Sequence, residues 1–109
     1  MNELINIETL KKLCSNEDNI IITQHTLTRC SQRNITIDEI IQAIKNGEII
    51  EQYPDDYPNP SCLVLGITTN HKMLHVVCGT DYKNLWIITV YVPDKLNWEY
   101  DFKTRRKEQ

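Results

Sequence analysis

The stretch "TIDEIIQAIKNG", from Thr36 to Gly47, decides the fold that we predict. Thr36 and Glu39 have the spacing of a capping box, in which a hydroxyl and a carboxylate three residues apart bind the first free N–H groups of a helix. Apolar residues at i, i+3, i+4 and i+7 give this helix one aliphatic face: Ile37, Ile40, Ile41 and Ile44. We expect Gly47 to end the helix in a left-handed conformation. The pattern predicts an amphipathic helix.

After Gly47 the apolar period changes from helical to extended. Four segments rich in β-branched and aromatic residues follow, at residues 48–53 (EIIEQY), 61–69 (SCLVLGITT), 73–79 (MLHVVCG) and 85–92 (LWIITVYV). The proline-rich stretch "PDDYPNP" and two short turns separate them. These segments predict an antiparallel meander.

Two further helices are predicted before Thr36, at residues 2–14 and after the capping residue Thr23. The run "IIIT" reads as a short extended lead-in to the second of them. Helices followed by strands predict an α+β fold, with N-terminal helices packed on one face of a four-stranded, mainly antiparallel sheet. We expect one domain over residues 1–109, with an additional N-terminal helix at 1–15 and a basic, mobile tail at 99–109.

Composition and charge restrict the partners that we expect. The 109 residues carry a formal net charge of −3, whereas proteins that bind nucleic acid nonspecifically usually present a basic face. A nucleic-acid role would therefore depend on a local cluster of cations. No apolar run approaches the roughly 20 residues of a membrane span, and the N-terminus is amphipathic and contains acidic residues, unlike a signal peptide. We expect a cytoplasmic protein with no membrane partner.

Histidines and cysteines give little reason to expect a metal. The four cysteines are widely separated and form no C-x-x-C pair, so we expect buried free thiols. His71 and His75 are separated by a turn and a strand, so they are not expected to bind the same ion. Nucleotide-binding and serine-hydrolase motifs are also missing from the sequence, and no cofactor is expected.

The stretch "HTLTRCSQR" holds the first candidate site. His25, Arg29 and Arg33 fall within about 80° of one another on a helix, while Leu27 and Cys30 lie on the opposite side. Histidine is suited to proton transfer near neutral pH, and arginine offers a fork of donors that matches phosphate or carboxylate oxygens. An ordinary solvated helix face would have the same spacing, and Arg33 could equally cap the helix end.

The predicted strands hold a second candidate set. His75 shares a strand face with Met73 and Val77, which is typical of a buried, hydrogen-bonded histidine. In the last strand, Thr89 and Tyr91 project hydroxyl groups to one side, together with Leu85 and Ile87, although such residues also follow simply from β propensity. The other side of that strand is predicted to carry Trp86, Ile88, Val90 and Val92.

The order of these pieces resembles the domain of unknown function 4258 family. The resemblance spans residues 22–106 and rests on "QHTLTRCSQRNITIDEIIQAIKNGEIIEQYPDDYPNPSCLVLG", "LHVV", "IITVYVPD" and Trp98. That family is similar to the RelE-like bacterial RNase toxins, whose N-terminal helices pack on an antiparallel sheet, and its members are often encoded beside a zinc-finger antitoxin. Motif residues matched here are His25, Arg29, Arg33, Glu48, Tyr53, Pro54, Ser61, His75, Thr89, Tyr91, Trp98 and Arg106.

The resemblance implies a metal-independent endoribonuclease that is the toxin-like component of a toxin–antitoxin pair, with RNA and a cognate antitoxin protein as partners. It implies His25, Arg29, His75 and Tyr91 as catalytic residues. The residues implied to bind substrate are Arg33, Tyr53, Thr89 and Arg106. Two alternatives stay open: a noncatalytic interaction module that binds a cognate protein, and an enzyme acting on a small anionic metabolite.

Overall fold

A computed structural model describes residues 4–107 of the protein. The helices are α1 (Ile7–Cys14), α2 (Gln24–Gln32) and α3 (Ile37–Lys45), with a single 3-10 turn at Glu17–Asn19. The strands are β1 (Ile20–Ile22), β2 (Glu48–Tyr53), β3 (Ser61–Ile67), β4 (Met73–Thr80) and β5 (Leu85–Tyr91). The first helix begins later than its prediction over residues 2–14, and residues 2 and 3 of that prediction lie outside the described residues.

The α+β prediction is confirmed, but the prediction of a four-stranded sheet is wrong. The described residues form a five-stranded mixed sheet in the order β1-β5-β4-β3-β2. The strands from β2 to β5 form the predicted antiparallel meander, whereas β1 pairs parallel to β5, with Ile20 opposite Leu85. The predicted lead-in is therefore a short edge strand, and three residues were too few to show a period.

The main core lies between the helices and one face of the sheet. The capping box at Thr36 and Glu39 is present, and α3 buries Ile40, Ala43 and Ile44 against β3 and β4. This core also includes Leu10, Leu13, Cys14, Cys30, Cys62, Val64, Leu74, Val76, Cys78, Leu85, Ile87 and Val90. All four cysteines are buried free thiols, as the sequence predicts.

Gly47 allows α3 to approach the sheet closely, and the prediction of a left-handed Gly47 is wrong. No glycine of the described chain has a positive φ, and α3 ends at Asn46 with φ of −102°. A Cβ added to Gly47 would lie 2.4 Å from the carbonyl oxygen of Ala43 and 2.7 Å from Cγ1 of Val64. The left-handed residue after a helix is instead Asn34, which follows α2 with φ of 58°.

A β-bulge in β5 changes the predicted faces of that strand. Val77 of β4 pairs with Thr89 and Cys78 pairs with Ile87, so Ile88 is an extra residue without a partner in β4. Val90 consequently joins Leu85 and Ile87 in the core, although regular alternation had assigned it to the opposite face. Thr89 and Tyr91 remain on one face, since they are two residues apart beyond the bulge.

The segment after β5 packs on the second face of the sheet through Trp98, which contacts His75. The mobility of the tail at 99–109 stays a prediction. Trp98 is 3% exposed and forms an isolated β-bridge with Arg105. The backbone N–H of Arg106 also donates to the carbonyl oxygen of Asn97. Residues 108 and 109 of the predicted tail lie outside the described residues. Within residues 4–107, the structure has no helix with the length and apolar character needed to cross a membrane.

Candidate functional site

The helix α2 lies along the outer edge of β5, beyond the point where β1 ends. Thr23 caps α2 by accepting from the N–H of Thr26 at 3.2 Å. The hydroxyl of Thr26 donates to the carbonyl oxygen of Ile88 at 3.1 Å, and a guanidinium N–H of Arg33 donates to that of Val90 at 2.8 Å. Side chains of α2 and of its C-cap therefore bind β5 carbonyls that another strand would otherwise bind.

This arrangement forms a cleft of about 180 Å³ between α2 and β5. Its lining residues are His25, Thr26, Arg29, Arg33, Ile88, Thr89 and Val90. The structure therefore brings together four of the residues that the sequence predicts for the site, namely His25, Arg29, Arg33 and Thr89. No carboxylate from residues 4–107 lines the cleft, so its lining is basic although the whole chain is acidic.

His25 and Arg29 are exposed in this cleft and make no side-chain hydrogen bond or ion pair with another described residue. They are one helical turn apart, so their side chains leave α2 on the same side. Arg33 is the C-cap residue of α2, and its guanidinium is oriented by the bond to Val90. A guanidinium has five N–H donors, so Arg33 keeps others for an anion.

His75 lies in a different environment, buried between the second face of the sheet and the C-terminal segment. Its side chain is fully buried, with the ring centroid 4.4 Å from that of Trp98 in an edge-on contact. Nε2 of His75 lies 2.7 Å from the carbonyl oxygen of Phe102, which only accepts, so Nε2 carries the proton. In the neutral ring Nδ1 then accepts from the hydroxyl of Tyr91 at 3.1 Å.

Burial sets the protonation states of this pair. Burial lowers the pKa of His75, although the carbonyl of Phe102 and the carboxylate of Glu51 act in the opposite direction. Burial also disfavours the charged form of Tyr91 and so raises its pKa. His75 is therefore predominantly neutral at pH 7, and the predicted buried, hydrogen-bonded histidine is confirmed.

Tyr53 belongs to a small network beside His75. Its hydroxyl hydrogen-bonds Glu51, and Glu51 binds Arg105 through two bonds of 2.8 and 2.9 Å. The hydrogen bonds from Arg105 lower the pKa of Glu51, while burial and then Glu51 raise the pKa of Tyr53 to about 12. The guanidinium of Arg105 also lies 4.7 Å from the ring centroid of Trp98. Tyr53 is therefore held on the sheet, outside the α2–β5 cleft.

A second polar cavity, of about 490 Å³, lies next to this network under the C-terminal segment. It is lined by Tyr91, Asp94, Leu96, Asn97, Trp98, Arg105, Arg106 and Lys107. Of the predicted site residues it holds Tyr91 and Arg106, whose guanidinium donates to the carbonyl oxygen of Lys95 and, at 3.2 Å, to Glu99. The structure thus separates the predicted site residues into two groups. One group lines the α2–β5 cleft, and the other lies near the C-terminal segment: Tyr53, His75, Tyr91 and Arg106.

Sequence reasoning missed Glu51 and Arg105, which join Tyr53 in the network beside His75. Neither is among the motif residues matched by the resemblance, and they are 54 residues apart in the chain. The one available signal was the charge run "KTRRK" in the predicted tail. The Glu51–Arg105 pair requires the C-terminal segment to fold back on β2, and no local pattern predicts that return.

Comparison with known proteins gives one match. A family described as "Domain of unknown function (DUF4258)" matches residues 22–92. The matched residues contain α2, α3 and the strands from β2 to β5, and therefore the whole α2–β5 cleft. The match ends before Trp98, Arg105 and Arg106. No curated protein and no solved structure matches the chain.

Proposed function

The chain belongs to the domain of unknown function 4258 family, and from that premise we propose that it is a metal-independent endoribonuclease that acts at the α2–β5 cleft. One observation carries the proposal: a histidine and two arginines line an exposed cleft to which the described residues contribute no carboxylate. A local site of this kind can attract a phosphodiester although the formal net charge is −3. The resemblance to RelE-like RNase toxins supports the same activity.

The proposed reaction is attack of a ribose 2′-hydroxyl on the adjacent phosphorus. His25 takes the proton of the 2′-hydroxyl, and the new P–O bond forms while the bond to the 5′-oxygen of the next nucleotide breaks. Arg29 and Arg33 stabilise the additional negative charge of the pentacoordinate phosphorus, where preorganised donors act most strongly. The leaving oxygen takes a proton from water, and the hydroxide so formed takes the proton that His25 holds, which returns His25 to its starting state. The products are a 2′,3′-cyclic phosphate and a free 5′-hydroxyl.

The remaining predicted residues receive different parts in this proposal. Thr89 lines the cleft, and a hydroxyl there can position a phosphate oxygen. His75 and Tyr91 are hydrogen-bonded to each other outside the cleft lining, so the proposed reaction does not use His75 as the acid that protonates the leaving oxygen. Tyr53 is engaged with Glu51, which does not favour stacking on a base.

A cleavage assay tests the proposal. Purified protein and the variants His25→Ala and Arg29→Ala are incubated with single-stranded RNA, with and without a chelator of divalent metal ions. We expect the wild-type protein to cleave in both conditions and to leave cyclic phosphate ends. Each variant should lose at least about 100-fold in rate, because a general base contributes about 10²–10⁴-fold and one donor to the developing charge about 10²–10³-fold.

Two matched variants control for the loss of an exposed histidine or cation elsewhere. His71→Asn changes an exposed histidine outside the cleft, and asparagine tolerates the φ of 64° at that position. Lys12→Ala removes an exposed positive charge from α1. Both should cleave like the wild type. Intact RNA after incubation with the wild-type protein, or cleavage by His25→Ala at the wild-type rate, would contradict the proposal.

We propose further that this activity makes the protein the toxin of a toxin–antitoxin pair, neutralised by a cognate protein. The resemblance to RelE-like toxins is the support for this part. Expression of the wild-type chain should then arrest bacterial growth, and expression of His25→Ala should not. Equal growth of the two cultures, with RNA cleavage confirmed in vitro, would remove the toxin role and leave the ribonuclease activity in place.

The alternative function is a noncatalytic module that binds a protein partner, and one observation favours it. An apolar groove of about 140 Å³ lies between β1 and α3. Its lining residues are Glu17, Ile20, Ile22, Ile37, Ile40, Ile41, Ile44 and Ile87. Isolation of a stoichiometric complex from cells, together with no RNA cleavage and no growth arrest, would favour this alternative.

A further inference from the structure

An apolar pocket of about 470 Å³ opens on the sheet face that carries the C-terminal segment. It is lined by Asp56, Tyr57, Pro58, Asn59, Gly79, Trp86 and Ile88. Tyr57 is 92% exposed, so its ring is available to a ligand. A Cβ on Gly79 would lie 3.6 Å from Cδ1 of Ile88, so the missing side chain leaves the strand surface open between the aromatic residues.

This aromatic pocket adjoins the α2–β5 cleft. Ile88 lines both of them, with 46% of its surface exposed. The bulge in β5 produces this arrangement, because it turns Ile88 out of the ladder while Thr89 and Val90 line the cleft. A ligand bound to Arg29 through a phosphate could therefore extend past Ile88 to Trp86 and Tyr57.

A flat aromatic group fits this lining better than an aliphatic one. Proteins that bind single-stranded nucleic acid stack unpaired bases on tyrosine and tryptophan rings, and the phosphates lie among cations beside them. Here Tyr57 and Trp86 supply the rings, and Arg29 and Arg33 supply the cations on the other side of Ile88. The adjoining cleft and pocket therefore offer the two kinds of contact that a nucleotide needs, cations for its phosphate and aromatic rings for its base.

A carboxylate in the lining of the pocket affects which nucleobase the pocket can bind. Asp56 accepts a hydrogen bond of 2.6 Å from the hydroxyl of Ser61, which orients its carboxylate. A carboxylate has two oxygens and accepts several hydrogen bonds. Guanine presents two adjacent N–H donors on its Watson–Crick edge, whereas adenine, cytosine and uracil do not. A carboxylate at the rim therefore favours guanine.

We propose that the aromatic pocket binds a nucleobase, with preference for guanine, of the nucleotide whose phosphate lies in the α2–β5 cleft. This inference rests on the proposed ribonuclease function, to which it adds a base preference. The pocket makes the substrate single-stranded RNA, because a paired base cannot reach the rings of Tyr57 and Trp86. Asp56 determines the preference, and stacking on Tyr57 strengthens the binding of every base.

Binding of an uncleavable RNA tests the pocket separately from the activity. The probes are fluorescent pentanucleotides with 2′-O-methyl ribose, which lack the attacking hydroxyl, and they carry one variable base among uracils. Fluorescence anisotropy gives the Kd of each probe for the full chain. The variants are Tyr57→Ala and Asp56→Asn, and Tyr100→Ala removes a tyrosine that is 77% exposed and lies outside the pocket.

We expect the wild-type protein to bind the guanine probe about 10-fold more tightly than the adenine probe. Tyr57→Ala should weaken both by about 10-fold, as is typical of one lost stacking contact. Asp56→Asn should remove the preference and leave the Kd for adenine within about twofold, since the asparagine amide oxygen can still accept from Ser61. Tyr100→Ala should bind like the wild type.

Equal Kd values for the four bases, or wild-type binding by Tyr57→Ala, would overturn the inference. If unmodified RNA is nevertheless cleaved, and cleaved equally by Tyr57→Ala, the ribonuclease proposal stands without the pocket. If the probes bind as expected and no RNA is cleaved, the pocket stands and the ribonuclease proposal fails. The two proposals are therefore tested independently.

Discussion

A guanidinium N–H of Arg33 donates a hydrogen bond of 2.8 Å to the carbonyl oxygen of Val90, and this bond joins the end of α2 to the last strand of the sheet. In the described chain, β1 pairs with β5 only as far as Ile87, so the next residues of β5 have α2 as their outer neighbour. Thr26 makes the second bond of this junction. Thr26 therefore holds α2 to β5 without a part in the proposed reaction, whereas Arg33 both holds α2 and contributes to that reaction.

The α2–β5 junction should contribute measurably to stability. Arg33→Ala leaves the carbonyl of Val90 without its donor, and we expect the free energy of unfolding to fall by about 1–2 kcal/mol. Thr26→Val keeps the shape of a side chain that is 6% exposed and removes its hydroxyl, so we expect a loss of about 1 kcal/mol. Urea denaturation followed by circular dichroism measures both.

Two other cleft residues of α2, His25 and Arg29, provide the control for that experiment. His25 and Arg29 are exposed and make no side-chain hydrogen bond within the described residues, so their alanine variants should lie within about 0.5 kcal/mol of the wild type. Their loss of RNA cleavage would then be an effect on the site alone. A destabilisation by Arg29→Ala as large as that of Arg33→Ala would show that Arg29 has a structural role.

Local patterns predicted those parts of the fold whose determinants lie within one helix or strand. The helix α3 was predictable because its cap and its four isoleucines are adjacent in the chain. The strand β1 was not recognised as one, since it has three residues and its partner Leu85 lies 65 positions after Ile20. The bulge at Ile88 was also invisible, because no glycine or proline in "LWIITVYV" marks a break in alternation.

The candidate site likewise has features that local patterns predict and features that depend on distant segments. The spacing of His25, Arg29 and Arg33 along one helix placed them together correctly, since helical periodicity is a local property. Their separation from His75 could not be predicted, because it depends on how the segment after β5 covers the second face of the sheet. A strand pattern shows which face a histidine is on, and not which segment covers that face.

The buried His75 should make stability depend on pH. Burial holds the pKa of the folded state below the usual value of 6.5, so between these two values the unfolded chain binds more protons. The contribution of neutral His75 is therefore fully present above about pH 6.5 and is lost as the pH falls through the folded-state pKa. The free energy of unfolding should decrease by up to about 1.4 kcal/mol per pH unit over this interval.

Two variants test whether His75 causes this pH dependence of stability. His75→Gln should be less stable at pH 7.5, because it loses the arrangement with Tyr91 and Phe102, and its stability should change less between pH 7 and pH 5. His25→Gln changes an exposed histidine outside this contact and should keep the wild-type slope. Urea denaturation at half-unit pH steps measures all three proteins. An unchanged slope in His75→Gln would assign the dependence to other groups.

Gly66 should be the least replaceable glycine of the chain. A Cβ at this position of β3 would lie 1.9 Å from the carbonyl oxygen of Ala43 in α3, so Gly66→Ala forces helix and sheet apart. We expect a loss of more than about 3 kcal/mol and little soluble protein. Gly79→Ala is the matched control, because its nearest contact would be 3.2 Å from the carbonyl oxygen of Pro60. Equal yields of the two variants would contradict this prediction.

The pair of Glu51 and Arg105 should hold the C-terminal segment on the sheet. Arg105 binds both oxygens of Glu51 and lies over the ring of Trp98, so Arg105→Ala should loosen the segment by about 1 kcal/mol. Local opening of that size raises the rate of tryptic cleavage after Lys103 about fivefold.

Glu51→Gln should raise that rate to a similar extent, because it weakens the same pair. Glu48→Gln tests whether any loss of charge near the segment suffices: Glu48 binds Lys103 at 2.8 Å, but both side chains are about half exposed. A pair so exposed to water contributes little, so this variant should be cleaved at nearly the wild-type rate. If Glu48→Gln and Glu51→Gln are cleaved equally fast, the segment is held by general charge attraction, and the geometry of Arg105 has no special part in it.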